Sequence, residues 1–342
     1  MTEASDQFVL KNSHGFQVAF IARGGQITSM LAPDIHGDMA DVVIGYDTIE
    51  ETLAGDAYAG VLCGRYANRI VNGKLRIEGI DYQLDVNQAP NHLHGGFDGF
   101  SSRVWDVESF SSNKYVQACR LKLVSPDADQ HYPGELFVEV IYGVTEQNEF
   151  CLEYSAETSA TTVVNLTSHP YFNLKGAGNG TIEDHHLQIN AARYTPISQQ
   201  IGTVTGEIRP VKGTPFDFLE GGLIGDACAS NDEQVKMVDG IDHNFVIDGF
   251  DQSLKKALVL TEPVSGRILE VFTDQPGIQI YTGCHWDGSE KGKNGLPILK
   301  WGGVAIEAQK FPDSPNHPHF PSALLKPGEV YRQSTIYKFS TT

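Results

Sequence analysis

Short segments in which apolar and polar residues alternate, each ending at glycine or proline, recur along this chain of 342 residues. Leu75 and Ile77 alternate with polar residues, Glu78-Gly79 offers a turn, and the alternation resumes up to Leu84. This pattern is typical of a β-hairpin. Segments 136–144 and 149–158 predict a second strand pair, and segments 257–262, 267–273 and 278–282 predict a meander. Helical periodicity is scarce, with one short helix expected near 48–53.

Many strands joined by short turns, with no helices to cover them, predict sheets packed on sheets. Hydrophobic residues make up 40% of the chain, which is enough for a substantial core. No Pro/Gly/Ser-rich linker and no repeat divides the sequence. We therefore predict an all-β fold, a large antiparallel β-sandwich with few short helices, as a single domain over residues 1–342. Two acidic segments, 125–131 and 225–234, are expected to be surface excursions.

The charge balance narrows the class of partner. With 25 basic and 43 acidic side chains the net charge is −18, which repels phosphate backbones and anionic lipid surfaces. We expect no nucleic acid and no membrane as partner, and a neutral small molecule instead. The five cysteines form no CxxC pair, no signal peptide is visible, and no apolar run approaches the ~20 residues of a membrane span. These features predict a cytoplasmic protein with reduced thiols.

The segment Thr-Ser-His-Pro-Tyr-Phe-Asn-Leu at 167–174 places His169 directly before Pro170. Proline fixes its own backbone geometry and removes a hydrogen-bond donor, so an ordinary central strand is not expected there. A rigidly held imidazole is a candidate proton donor.

Glu307 lies in an otherwise apolar, strand-like run, 303–311. Strand alternation puts it on one face with Ala305 and Gln309. Carboxylates rarely lie among apolar neighbours unless they are paired or used, and partial desolvation raises their proton affinity toward that of a general base. The alternative is a salt-bridged glutamate at a sheet edge.

Three weaker motifs each allow two interpretations. In Asn-His-Leu-His-Gly-Gly at 91–96, the glycines after His94 suit close approach of a ligand or a plain turn. In 64–70, Asn68 and Arg69 suit hydroxyl recognition or a surface salt bridge. In 240–246, Asp242 suits sugar hydroxyls or an Asx turn.

The histidine pair at 92 and 94 also raises a metal hypothesis. On a strand these side chains would share a face, as metal ligands can. No glutamate follows them closely and no HExxH motif is present, so we expect no catalytic metal.

Taken together, these motifs resemble the aldose 1-epimerases, also called galactose mutarotases. The resemblance runs nearly end to end, through GRYANRI, NHLHGG, SHPYFNL, DHNF, PGIQIYTG and the Glu-Ala-Gln at 307–309. It implies the large β-sandwich of that family, an isomerase activity that interconverts the α and β anomers of free aldohexoses such as galactose and glucose, and no cofactor.

The resemblance also implies roles at single positions. His169 would be the general acid on the ring oxygen and Glu307 the general base on the anomeric hydroxyl, with His94 as a hydrogen-bond donor beside them. Further residues would hold or support the ring hydroxyls, namely Asn68, Arg69, Asp242 and Gln279. A non-catalytic sugar-binding protein and an epimerase of a phosphorylated hexose remain as alternatives. The expected partner is a monosaccharide, and the expected state is a monomer or weak homodimer.

Overall fold

The computed structural model describes residues 2–55 and 58–342 of the chain. Its strands over the first half of the chain are β1 Gln7–Lys11, β2 Gln17–Ile21, β3 Ile27–Pro33, β4 Met39–Asp41, β5 Leu62–Cys63, β6 Arg69–Ile70, β7 Lys74–Ile77, β8 Ile80–Gln83, β9 His92–Leu93, β10 Asp106–Phe110, β11 Gln117–Ser125, β12 Leu136–Val144, β13 Glu149–Thr158, β14 Thr162–Val163, β15 Thr167–Ser168 and β16 Tyr171–Phe172.

The strands of the second half are β17 His186–Ile189, β18 Arg193–Thr195, β19 Ile197–Ser198, β20 Thr203–Val204, β21 Arg209–Pro210, β22 Gly222–Leu223, β23 Asp242–Val246, β24 Lys255–Thr261, β25 Arg267–Thr273, β26 Gly277–Tyr281, β27 Val304–Gln309, β28 Leu324–Leu325 and β29 Tyr331–Thr341. The α-helices of the described residues are α1 Ile49–Ala54, α2 Ile224–Cys228 and α3 Glu233–Val238.

Two large antiparallel sheets dominate the described residues. One has nine strands in the order β10-β11-β12-β13-β29-β25-β24-β17-β22, and the other has six in the order β16-β27-β26-β23-β18-β21. A four-stranded sheet, β1 to β4, packs on the nine-stranded sheet through the edge-to-face contact of Phe20 with Tyr142, whose ring centroids are 4.9 Å apart. This confirms the predicted β-sandwich class.

The main core lies between the two large sheets. Ile278, Ile280 and Ile306 of the six-stranded sheet are fully buried there. The Tyr337 hydroxyl of β29 donates a hydrogen bond to the Ile306 carbonyl at 2.9 Å, and the Gln333 amide donates one to the Ala308 carbonyl at 3.0 Å. The apolar face of the six-stranded sheet therefore meets the nine-stranded sheet, and alternation turns its polar residues to the opposite face.

Most of the predicted strands are confirmed. The hairpin β7–β8 turns at Glu78-Gly79 as expected, and β12 pairs with β13 over its whole length. Helix α1 begins beside the predicted position because Thr48 and Glu51 form a capping box.

The predicted meander of three strands is wrong in its last member. Strand β25 pairs with β24 and with the C-terminal β29, whereas β26 belongs to the other large sheet. The neighbour that β25 takes instead is more than 50 residues away in sequence, and local alternation carries no information on such a pairing.

The expectation that 225–234 is a surface excursion is also wrong in part. This segment contains most of α2 and the start of α3, and Ala227 and Cys228 are buried against the main core. None of the helices within residues 2–55 and 58–342 has the length and apolarity needed to cross a bilayer.

Candidate active site

The polar face of the six-stranded sheet forms the floor of a cavity. Gln279 of β26 lies directly opposite Glu307 of β27, and Asp242 of β23 lies opposite Tyr281. Because side chains alternate along a strand, Asp242, Gln279 and Glu307 point away from the core. Glu307 is only 2% exposed, so its carboxylate is held beneath the cavity rather than at a sheet edge.

His169 reaches the same point from the connection between β15 and β16. Pro170 interrupts the two short strands, as the sequence predicted, and the His169 backbone is held on both sides: its N–H donates to Val61 and its carbonyl accepts from Gly60, each at 2.9 Å. The imidazole Nε2 then lies 3.3 Å from Glu307 Oε1, with the histidine side chain 4% exposed. An imidazole and a carboxylate thus converge on one place.

His94 is held by a reciprocal backbone link to Asn68. Its N–H donates to the Asn68 carbonyl at 3.1 Å, and its Nδ1 accepts from the Asn68 N–H at 3.1 Å. A backbone N–H is always the donor, so the neutral ring carries its proton on Nε2. The next residue, Gly95, has φ +91°, and a Cβ there would lie 1.8 Å from the Gly64 carbonyl oxygen. Glycine is therefore required for this approach.

Arg69 and Asp242 form a polar wall beside the pair. Arg69 Nη1 lies 3.3 Å from Asp242 Oδ2, and its Nε donates to Gln88 Oε1 at 2.7 Å. The Gln279 amide donates to the other oxygen of Asp242 at 2.6 Å. The guanidinium and the carboxylate are therefore fixed in orientation with their remaining donors and acceptors available to hydroxyl groups.

The cavity enclosed by these residues has a volume of about 510 Å³. Six of the seven predicted site residues line it, and the seventh, Gln279, hydrogen-bonds to Asp242.

The sequence analysis missed further residues that line the cavity, namely Tyr58, Gln88, Leu93, Tyr171, Tyr281, His285 and Glu290. Tyr171 and Tyr281 belong to the motifs SHPYFNL and PGIQIYTG, so their aromatic side chains could have been predicted to line the cavity. Nothing in the local sequence indicated that the other five residues would lie there.

Burial shifts the proton affinities inside the cavity in opposite directions. It raises the pKa of Glu307 well above its usual value, and the nearby Asp242 carboxylate raises it further while Arg69 lowers it. Burial lowers the pKa of His94 well below its usual value, helped by His169 and Arg69. The low pKa of His94 keeps its ring neutral, as the hydrogen bond from Asn68 requires.

The ligand atoms of His94, His169 and Glu307 all lie within 4.8 Å of one another, close enough to consider a metal site. A metal on His94 would need the lone pair of Nε2, which is the protonated nitrogen, since Nδ1 already accepts from Asn68. His94 Nε2 is therefore better suited to donate a hydrogen bond into the cavity than to bind a metal ion.

A large antiparallel β-sandwich with a buried imidazole–carboxylate pair under an open polar cavity is typical of an enzyme that binds a small polar molecule. The model of the aldose 1-epimerase family matches residues 6–338. The chain is 42% identical over 335 residues to the galactose mutarotase of Mus musculus, covering 98% of this chain and 94% of that protein. It is 33% identical over 332 residues to the aldose 1-epimerase of Escherichia coli K12, covering 96% and 94%. The chain belongs to the aldose 1-epimerase family and is an isomerase.

Solved structures agree with the fold. A GalM/aldose epimerase homologue from C. elegans superposes with a TM-score of 0.88 at 30% identity, covering 98% of this chain and 99% of that one. The galactose 1-epimerase of Lactobacillus acidophilus gives 0.86 at 28% identity, covering 98% and 94%.

Proposed function

We propose that this protein interconverts the α and β anomers of free aldohexoses such as galactose and glucose, with Glu307 as general base and His169 as general acid. The observation that supports these roles most strongly is the 3.3 Å approach of His169 Nε2 to Glu307 Oε1 under the cavity. Two oxygens on one hemiacetal carbon, the anomeric hydroxyl and the ring oxygen, are close enough together to exchange protons with such a pair.

In the proposed mechanism Glu307 takes the proton of the anomeric hydroxyl while protonated His169 gives a proton to the ring oxygen. The C1–O5 bond breaks with its electron pair moving to the ring oxygen, and a C1=O1 bond forms. The open aldehyde rotates about C1–C2 and closes on its other face, with Glu307 and His169 acting in reverse. Each proton transfer contributes on the order of 10² to 10⁴ in rate, so two together lower the barrier by about 5–11 kcal/mol.

The remaining predicted residues would position the sugar. His94, with its proton on Nε2, is suited to donate to the ring or anomeric oxygen, where charge develops during opening. Arg69 and Asp242, supported by Gln279 and Asn68, are suited to bind ring hydroxyls as donor and acceptor. Tyr171 and Tyr281 offer aromatic surface to the apolar face of a pyranose.

The lining charges favour a neutral sugar over a phosphorylated one. Among the described cavity residues Arg69 is the one Lys or Arg side chain, and it is paired with Asp242. Glu290 and Glu307 add two further carboxyl groups. A phosphate dianion in this cavity would meet net repulsion.

We also propose a cytoplasmic monomer or weak homodimer. Four of the five cysteines are buried in the structure, as suits thiols in a reducing compartment. Light scattering coupled to size exclusion would test the state of association.

Polarimetry on freshly dissolved α-D-glucose and α-D-galactose tests the proposed activity. We expect the approach to the equilibrium rotation to accelerate in proportion to the enzyme concentration. Tight sugar binding by calorimetry without any acceleration would instead support the non-catalytic alternative.

A further inference from the structure

A row of buried amide side chains continues behind Glu307 on the same face of the six-stranded sheet. Asn244 of β23 lies opposite Gln279, which lies opposite Glu307, and Gln309 follows Glu307 by two residues on β27. All four side chains belong to residues that are at most 2% exposed. Polar groups at this depth are costly unless they are hydrogen-bonded.

Several atoms of this row have no hydrogen-bond partner among the described residues. They are Asn244 Oδ1, Gln279 Oε1, Glu307 Oε2, and both Oε1 and Nε2 of Gln309. A buried polar group that lacks a hydrogen-bond partner destabilises the folded protein. A cluster of five such atoms beside a catalytic carboxylate therefore requires a partner of its own.

The amide orientations show that the partner must supply donors. The Gln279 Nε2 donates to Asp242 Oδ1, a carboxylate that accepts, so the buried atom left without a partner is the acceptor Oε1. The Asn244 Nδ2 donates to Thr195 Oγ1 at 3.3 Å, which leaves Oδ1 as an unpaired acceptor on the side of Gly277. The row thus contains four acceptor oxygens and the single amide group of Gln309 as donor. These side chains cannot satisfy one another.

Gly277 lets the Asn244 side chain lie close to the backbone of β26 in this row. It pairs with Gln309 on one side and with Val246 on the other. A Cβ at Gly277 would lie 2.3 Å from Asn244 Oδ1. Asn244 Oδ1 therefore lies over the glycine that pairs with Gln309.

We propose that Asn244, Gln279, Glu307 and Gln309 form a buried water-binding site, in which one or two water molecules donate hydrogen bonds to Glu307 Oε2 and hold that carboxylate ready to act as the base. A water molecule has two donors, so two waters match the four acceptors while accepting from the Gln309 amide. The proposal that these waters prepare Glu307 to act as a base rests on the proposed function of Glu307. The proposal that water binds here does not depend on that function.

Hydrogen bonds donated to a carboxylate favour its ionised form. The charged and titratable groups that face Glu307 from the neighbouring elements are His94, His169, Asp242, Arg69 and Tyr337. Asp242 and burial oppose ionisation of Glu307, and Arg69 favours it. A water molecule that donates to Oε2, the oxygen that does not face His169, would also favour the ionised form of Glu307.

A crystal structure of the wild-type enzyme at a resolution that shows ordered water tests the site itself. We expect water within hydrogen-bond distance of both Glu307 Oε2 and the Gln309 amide. Density showing these side chains bonded directly to one another or to other protein groups, with no water between them, would overturn the proposal.

Gln309→Leu tests the role of the site. This change removes the anchoring amide without touching the cavity, and we expect the acid limb of the kcat/KM profile to move up by about one pH unit, since Glu307 loses donors. An unmoved acid limb in a folded variant would overturn the role. Gln309→Met, which is unbranched, replaces the leucine variant if that variant does not fold.

Gln333→Leu is the matched control. Gln333 is equally buried, but its amide donates to the Ala308 carbonyl on the opposite face of the same strand. We expect a loss of stability with the acid limb unmoved, whereas a shift equal to that of Gln309→Leu would show a merely structural effect and overturn the role. If Glu307→Gln keeps wild-type turnover, Glu307 is not the base and the proposed function is wrong. This result is distinct from the pH profiles of Gln309→Leu and Gln333→Leu, which test only the role of the water site.

Discussion

At the scale of single residues, the site depends on how burial sets proton affinity. Glu307 has a raised pKa because it is desolvated and lies near Asp242, and His94 has a lowered one. The sequence indicated this for Glu307, because an acidic residue in an apolar strand is desolvated wherever that strand is covered. It could not indicate the tautomer of His94, because that depends on a hydrogen bond from Asn68, 26 residues away.

The raised pKa of Glu307 predicts the acid limb of the pH profile. Glu307 must be ionised to accept the anomeric proton, so kcat/KM should fall as the pH drops through its raised pKa, above the ordinary value of 4.5. Initial rates between pH 4 and 9 should give a bell-shaped profile with an acid midpoint clearly above 4.5. A flat profile over this range would contradict the acid–base pair.

Metal chelation gives a second prediction at the residue scale. Because Nε2 of His94 carries a proton, the three-residue group should act through hydrogen bonds and proton transfer. Activity should survive exhaustive dialysis against EDTA unchanged. Loss of activity that a divalent ion restores would revive the metal hypothesis.

At the scale of elements, local patterns predicted the strands well and their partners poorly. Strands β12, β13 and β25 begin and end at the predicted residues because alternation and turn residues are local signals. The place of β26 could not be predicted, since its partners β23 and β27 lie about 30 residues away on either side. The same distant pairing brings Glu307 and Asp242 together, so the site geometry followed from the family resemblance and not from spacing.

The turn after β9 offers a test of how elements position the site. Gly95→Ala would force a Cβ to within 1.8 Å of the Gly64 carbonyl oxygen at φ +91°. The backbone must move there, so His94 should be displaced and kcat/KM should fall at least tenfold, with a loss of stability above 1 kcal/mol. Steady-state kinetics and thermal unfolding would measure both effects.

Gly79→Ala is the matched control for this change. Gly79 has a similar φ of +85°, but an added Cβ would meet nothing within 4 Å. It should cost about 1 kcal/mol of stability from backbone strain and leave kcat/KM unchanged. If Gly79→Ala lowered kcat/KM as much as Gly95→Ala, the loss in Gly95→Ala could not be attributed to displacement of His94.

At the scale of the whole molecule, we propose that residues 1–342 form one domain. Members of the main core come from the N-terminal sheet, such as Phe20, and from both large sheets, such as Leu152 and Ile306. The C-terminal strand β29 lies in the middle of the nine-stranded sheet, so the last strand of the chain is part of the main core.

One cooperative unfolding transition is expected from this arrangement. The calorimetric enthalpy should equal the van't Hoff enthalpy, and fluorescence and far-UV circular dichroism should give coincident melting curves. Two separated transitions would contradict the single domain.

The proposed mechanism depends on proton transfer by Glu307 and His169, and polarimetry of one variant at each position tests it. Glu307→Gln and His169→Asn each remove one transfer while keeping a side chain of similar shape. With circular dichroism confirming the fold, each should lower turnover of α-D-glucose or α-D-galactose by at least two decades (about 10²). His131→Asn, at a histidine whose side chain is 61% exposed, should change nothing. Near-wild-type turnover in a folded Glu307→Gln or His169→Asn variant would show that the proposed proton transfers do not carry the reaction.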